Sequence, residues 1–234
     1  MSMNIQGKIL AIDTATDYIS VAFFSDSKIV AENTIFAPKR HSNILPELVD
    51  GILKISDEKI SDETIIAISA GPGSYTGLRV GISFVQGLAA STDAKIVSID
   101  TLKALAYCFA PRETAVAVAI DARAGGIYAC LYGVLGKPSP IIKTGIFELS
   151  ELCYKLSSRG RILFVSDEII YNEIVEEIRG TDVIYAGEPR PSAGIIAKLA
   201  VSKANSGQFI EPENLEPKYL RQFKAGTRKR KPII

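Results

Sequence analysis

The stretch "AGPGSYTGLRVGISFVQGLAA", Ala70 to Ala90, sets two chemistries against each other. A glycine-rich turn feeding a helix can offer backbone amides to a phosphate. A helix whose only charge is Arg79 can instead pack against another protein. Neither phosphate signature is complete. A Walker loop needs Lys directly after its last glycine, and Leu78 follows Gly77. The dinucleotide pattern fails too, because its third glycine comes one residue late. At helical spacing Gly77, Gly81, Phe84 and Leu88 share one face, and Leu78, Ile82, Val85 and Ala89 share another. A glycine inside a helix costs about 1 kcal/mol against alanine, so two of them require a packing reason. The expectation is that one face meets its own sheet and the other a partner subunit. The glycines would then admit a partner helix, and Gly81→Arg would abolish pairing with the fold intact. Ile44, Leu48 and Ile52 of a preceding helix would complete that interface.

Two other stretches carry charge at the ends of apolar runs. "AIDTATDYIS" from Ala11 and "AIDARAGGIY" from Ala119 each end a β-type run on an aspartate, Asp13 and Asp121. Such residues can hold a metal-bound nucleotide. The first turn has the hydroxyl of Thr14 but lacks a glycine to let amides approach a phosphate. The second has Gly125 and Gly126, and an Arg123 that would meet a phosphate or pair with a nearby carboxylate. Weak or no independent ATP binding is therefore expected. Any ATP or ADP with magnesium would sit at a joint with a partner.

Other catalytic classes are poorly supplied. His41 is the single histidine, too few for a histidine-rich metal site or a Ser/His/Asp arrangement. In "KRHSNIL" it reads as a surface or capping residue at a helix start, with Ser42 or Asn43 as the N-cap. Cys108, Cys130 and Cys153 are odd in number, widely spaced and in apolar contexts, which suggests buried thiols and a reduced compartment. No basic leader with an apolar core and no membrane-length apolar run is evident, so a cytoplasmic protein without membrane contact is expected. The net charge of +1 conceals an asymmetry. Arg228, Lys229, Arg230 and Lys231 end the chain, and the rest carries −3.

The elements that must position these residues repeat. Three β-type runs (Lys8–Asp13, Tyr18–Phe24, Lys28–Ile35) precede an amphipathic helix over Ser42–Ile55 with Pro46 in its first turn. A strand Thr64–Ala70, the glycine-bearing helix, a strand Lys95–Ile99 and a helix from Thr101 follow. From Thr114 the series βββαβαβα recurs, ending in a helix over about Ser192–Asn205. The reading is an α/β duplication with mixed sheets flanked by helices. It places an N-terminal lobe at 1–110, a C-terminal lobe at 111–205, and an extended segment with a basic tail at 206–234.

Two βββαβαβα lobes, each opening on a strand that ends in Asp, resemble the actin/Hsp70/sugar-kinase fold. Within that group "LAIDTAT", "HSNILPELVDGIL", "SAGPGSYTGLRVGISFVQGLA", "DARAGGIYACLY" and "PKYLR" together resemble the TsaB (YeaZ) family over almost the whole chain. The resemblance implies a role in making threonylcarbamoyladenosine beside the anticodon of tRNAs that read codons starting with A. It implies a non-catalytic subunit that binds and activates the metal-bearing paralogue TsaD. It also implies the small ATPase TsaE as a further partner, a homodimer when TsaD is absent, and tRNA reached through the complex. It puts the contact with TsaD at the glycine-bearing helix. Where that paralogue carries two histidines four apart, this chain has Thr101 and Leu105, neither a transition-metal ligand. The competing reading is an actin-like ATPase or kinase-like enzyme acting alone through Asp13 or Asp121.

Overall fold

The computed structural model describes residues 7–109, 114–123, 125–133 and 139–220. The basic cluster Arg228–Lys231 lies outside the described residues. Strands β1 (Ile9–Asp13), β2 (Tyr18–Ser25) and β3 (Lys28–Phe36) form an antiparallel meander, and helix α1 (His41–Ser56) leads to β4 (Ile65–Ser69). Helix α2 (Tyr75–Thr92), strand β5 (Lys95–Ile99) and helix α3 (Thr101–Cys108) follow. β4 pairs parallel with β1 and β5, which gives the sheet order β3-β2-β1-β4-β5. The second half supplies β6 (Ala115–Asp121), β7 (Ile127–Gly133), β8 (Ser139–Phe147), α4 (Leu149–Leu156) and β9 (Gly160–Val165). α5 (Glu168–Glu177), β10 (Thr181–Gly187) and α6 (Ala193–Asn205) complete it. Its order, β10-β9-β6-β7-β8, repeats the first with the same pairing directions. The duplicated α/β architecture read from the sequence is thus the fold.

Alternation along the buried strands assigns the layers. Leu10 and Ile12 of β1 face α1 and α2 in a core with Leu45, Leu48, Ile52, Ile82 and Val85. Ile9 and Ala11 face the other way, against Ala193, Ile196, Ala197, Ala200 and Ala204 of α6. In the second sheet Ala117 and Ala119 meet α4 and α5, whereas Val116 and Val118 meet Leu102, Leu105 and Ala106 of α3. The last helix of each half therefore packs on the other half's sheet. This crossing differs from a division at 110/111, which follows chain order alone. α6 covers the first sheet because β1, β2 and β4 present Ala11, Ala22 and Ala67 there, small side chains that admit an alanine-rich helix closely.

Two local readings of α1 are corrected. The helix begins at His41, its N-cap is Arg40, and no side chain caps it, so neither Ser42 nor Asn43 serves. Pro46 then lies inside the helix rather than in its first turn. After α6 the chain bridges Ile210 to Ile96 and makes one 3-10 turn, Pro212–Asn214, with Leu215 buried among the α2 residues. Gln86 donates to the carbonyls of Pro212 and Leu215, and Lys218 N–H donates to Ala70 C=O. The segment is a strap across α2 and the glycine turn.

Candidate functional site: two aspartate turns and an outward helix face

Asp13 and Asp121 end the equivalent central strands β1 and β6. Each carboxylate folds back on its own turn. Asp13 Oδ1 accepts from Ala15 N–H at 2.9 Å, and Asp121 Oδ1 from Arg123 N–H at 2.6 Å. Aspartate suits a strand end for this reason, since its short carboxylate mimics a backbone turn two residues on.

The first turn is sealed. Asp13, Thr14 and Ser69 have no exposed surface. The turn and helix at 73–81 close directly over them. A Cβ on Gly73 would stand 2.4 Å from Ala15 O, one on Gly77 2.1 Å from Thr14 O, and one on Gly81 2.2 Å from Thr14 Oγ1. Ser74 N–H donates to Ala15 C=O at 2.7 Å, and the Ser74 hydroxyl caps α2 through Gly77 N–H. His41 adds a second clamp, its Nε2 within 2.9 Å of Thr16 O. It is 7% exposed, so the surface position expected for it is corrected: its ring is turned inward onto the first aspartate turn. Asp13 Oδ2, Thr14 Oγ1 and Ser69 Oγ are buried without a hydrogen-bond partner among the described residues. Burial pushes the Asp13 carboxyl above the usual carboxylate range, and the neighbouring Ser69 hydroxyl, the Ala15 amide and His41 only partly oppose this. A nucleotide does not fit here: the turn has no glycine of its own and α2 fills the approach.

The second turn is open. The Asp121 side chain is 47% exposed and pairs with the still more exposed Arg123 at 3.1 Å. Gly125 has nothing within 4 Å of a Cβ position, and α5, the equivalent of α2, carries no glycine. Of Asp13, Thr14, Asp121 and Arg123, only the latter two are reachable from solvent. Among the described residues no group of three His, Cys, Asp or Glu side chains is placed to hold a metal ion. Thr101 and Leu105 are fully buried, and Thr101 Oγ1 accepts from Gly71 N–H. Burial raises the Cys108 thiol to about 11 and pushes Cys130 and Cys153 up as well, so none is a ready nucleophile.

The residues expected at a partner interface divide. Gly77, Leu78, Gly81, Ile82, Val85 and Ile52 are buried inside the chain, and Leu48 nearly so. The close approach that Gly77 and Gly81 permit is to Thr14, so the reason expected for them, a partner helix, is replaced by an internal one. Gly81→Arg would drive a side chain into the core, and it is no test of pairing. Ile44, Phe84 and Leu88 remain half-buried at the outer surface. The outward stripe is completed by residues that the helical pattern alone did not single out. On α1 it runs Ile44, Gly51 and Ile55, past the almost buried Leu48, and on α2 Val80, Phe84, Gly87 and Ser91, both rows following i, i+4, i+7, i+11. Ile55 is 74% exposed. A Cβ on Gly51 or Gly87 would meet nothing within 4 Å. Extending the stripe one turn beyond Leu48 and Phe84 would have found both glycines in the sequence.

A family model described as TsaD: tRNA N6-adenosine threonylcarbamoyltransferase matches residues 30–188. The "tRNA threonylcarbamoyladenosine biosynthesis protein TsaB" of Bacillus subtilis is 28% identical over 223 residues, which cover 93% of this chain and 95% of that protein. The protein of the same description from Escherichia coli is 37% identical over 127 residues, 53% of this chain and 54% of its own. The structure titled "YeaZ from Pseudomonas aeruginosa" shares the fold with a TM-score of 0.76 at 24% identity, covering 92% of this chain and 100% of that one. The family model spans well over half of the chain, from β3 through the open Asp121 turn to the end of β10, and TsaB relatives match almost all of it. The chain therefore belongs to the TsaB (YeaZ) family, within the wider family of threonylcarbamoyltransferases.

Proposed function

We propose that the chain serves threonylcarbamoyladenosine formation in tRNA as a non-catalytic subunit that binds and activates a TsaD-type transferase. The observation that carries this is the outward face of α1 and α2. Gly51 and Gly87 each cost their helix about 1 kcal/mol against alanine, and nothing among the described residues explains either one. Beside them Ile55, Ile44, Val80, Phe84 and Leu88 leave apolar surface at the joint of two adjacent helices. Small residues flanked by apolar ones let a second pair of helices approach closely. The TsaD-type partner is favoured as the occupant because the TsaB relatives are described as proteins of threonylcarbamoyladenosine biosynthesis, the chemistry that this transferase performs. A second copy of the chain would occupy the face when the transferase is absent, and TsaE and tRNA would join through the assembled complex. The sealed Asp13 turn weighs against an independent ATPase or kinase. Any nucleotide would be held at the joint with the partner.

Light scattering tests this directly, with the chain alone and then mixed with a TsaD protein from the same organism. The expected result is a one-to-one heterodimer that Gly87→Arg abolishes while the circular dichroism of the chain is unchanged. A parent chain indifferent to TsaD, or a Gly87→Arg variant that pairs normally, overturns the proposal.

A further inference from the structure

Arg79 is the single charge on α2, and its side chain is held in place. The guanidinium lies over the ring of Tyr75, one turn earlier, with Cζ 4.3 Å from the centroid. Its Nε donates at 3.1 Å to the hydroxyl of Tyr219, which the strap brings from 140 residues away. The two tyrosines stack on each other, their centroids 5.2 Å apart and their planes at 27°. All three side chains nevertheless face solvent: Tyr75 is 44% and Tyr219 43% exposed, and Arg79 is exposed too. Among the described residues the Nη atoms of Arg79 make no hydrogen bond, and no carboxylate comes within 4 Å of its guanidinium.

Arg79 and Tyr219 line a groove of about 460 Å³ between α2 and the strap, together with Ser83, Gln86, Glu216 and Pro217. Its walls are preformed. Gln86 ties α2 to the Pro212 and Leu215 carbonyls, Leu215 is buried, and Lys218 holds the strap through Ala70 C=O and through Asp100 Oδ2 at 2.8 Å. On α2 the row Arg79, Ser83, Gln86 lies beside the row Val80, Phe84, Gly87, so the groove continues the outward apolar face. A guanidinium already ordered by a ring and a hydroxyl gives up little side-chain freedom when it pairs. Its planar fork matches a carboxylate. Arginine and tyrosine are also the residue types that carry much of the energy where two proteins meet.

We propose that Arg79, braced by Tyr75 and Tyr219, anchors an acidic side chain of the TsaD-type partner, which enters the groove between α2 and the strap. This rests on the function proposed above and extends its interface from the α1–α2 joint onto the strap. A protein carboxylate is favoured over a phosphate for two reasons. The site adjoins an apolar stripe that suits a protein surface, and the Glu216 carboxylate in the same groove repels a multiply charged phosphate more than a single carboxylate.

The test uses the full chain and a TsaD protein from the same organism, with the dissociation constant measured by titration calorimetry at low and at high salt. Arg79→Ala is expected to weaken pairing at least about thirtyfold. Added salt should weaken the parent pair more than the Arg79→Ala pair, because only the parent has the ion pair to screen. Arg79→Lys keeps the charge but loses the fork, and should restore only part of the affinity. Tyr219→Phe keeps the stacked ring and removes one hydrogen bond to the guanidinium, so a loss of about threefold is expected. Lys198→Ala, which removes an exposed charge from α6 on the other face of the first sheet, is the control and should pair as the parent does. Pairing unchanged in Arg79→Ala overturns the proposal. So does an equal loss in Tyr219→Phe, which would make Arg79 a brace for the strap alone, or an equal loss in Lys198→Ala. If Arg79→Ala leaves pairing intact but weakens binding of a labelled tRNA transcript to the complex, the occupant is a phosphate and the proposal falls. Gly87→Arg is measured alongside. Its loss of pairing with Arg79→Ala unaffected would count against this inference alone, whereas a parent that does not bind TsaD overturns both readings.

Discussion

Asp13 and Asp121 stand at matching ends of matching strands and make the same i to i+2 bond to their own turns. One is inaccessible and the other half-exposed. The difference lies in what the following helix lacks. α2 reaches the first turn because Gly73, Gly77 and Gly81 remove the atoms that would collide with Thr14 and Ala15. α5 has no such face. Duplication preserved the residue with the potential chemistry, and access to it was decided five elements downstream. An aspartate at a strand end is thus a weak indicator of a site until the neighbouring helix has been read for side-chain volume.

The largest effect should come from putting an atom back into the sealed contact. Gly77→Ala presses a Cβ against a backbone carbonyl that cannot swing away, and a loss of about 3 kcal/mol in denaturant unfolding is expected. Gly126→Ala in the second turn presses on the Ile146 side chain, which can shift, and meets Ala122 Cβ only at ordinary contact distance, so it should cost under about 1 kcal/mol. Equal losses would break the comparison. Gly81→Ala sharpens it, because the atom in its way is Thr14 Oγ1, which has no hydrogen-bond partner among the described residues. Thr14→Ala should recover most of a cost of about 1–2 kcal/mol, and a double-mutant cycle with no coupling would refute that contact.

Asp13→Asn tests burial through pH. The folded state holds the Asp13 proton more tightly than the unfolded chain does. Its contribution is therefore fully present below the unfolded value, near about pH 4, and is lost as the pH rises through the folded value. The variant should melt above the parent at neutral pH, with the gap closing in acid. A gap that widens in acid would reverse the assignment. The smallest effect is expected for Asp121→Asn, under about 0.5 kcal/mol, since the ion pair it removes is solvent-screened.

Much of this was legible in the sequence. The element series and the two strand-ending aspartates follow from local patterns. Other features depend on tertiary distance. The glycines of α2 announced a close approach, but a helix face does not say whether its neighbour is a loop of the same chain or another protein. Thr14 settled that, and it lies more than sixty residues upstream of Gly77. His41 was placed outside because polar neighbours surround it in sequence, whereas the Thr16 carbonyl draws its ring inward. Lys218 and Asp100 are more than a hundred residues apart and meet only once the strap has docked.

The exchange of α3 and α6 between the sheets has a consequence for the order of events during synthesis. The first sheet is complete once β5 has left the ribosome, yet one of its faces, with Ile9, Ala11, Phe24 and Val97, waits for a helix almost a hundred residues later. α3 in turn has no sheet to dock on until β6 and β7 emerge. The half-made chain must therefore carry an uncovered apolar layer while almost a hundred further residues are made. A ribosome stalled before Ala193 would release a product prone to aggregation rather than a stable lobe.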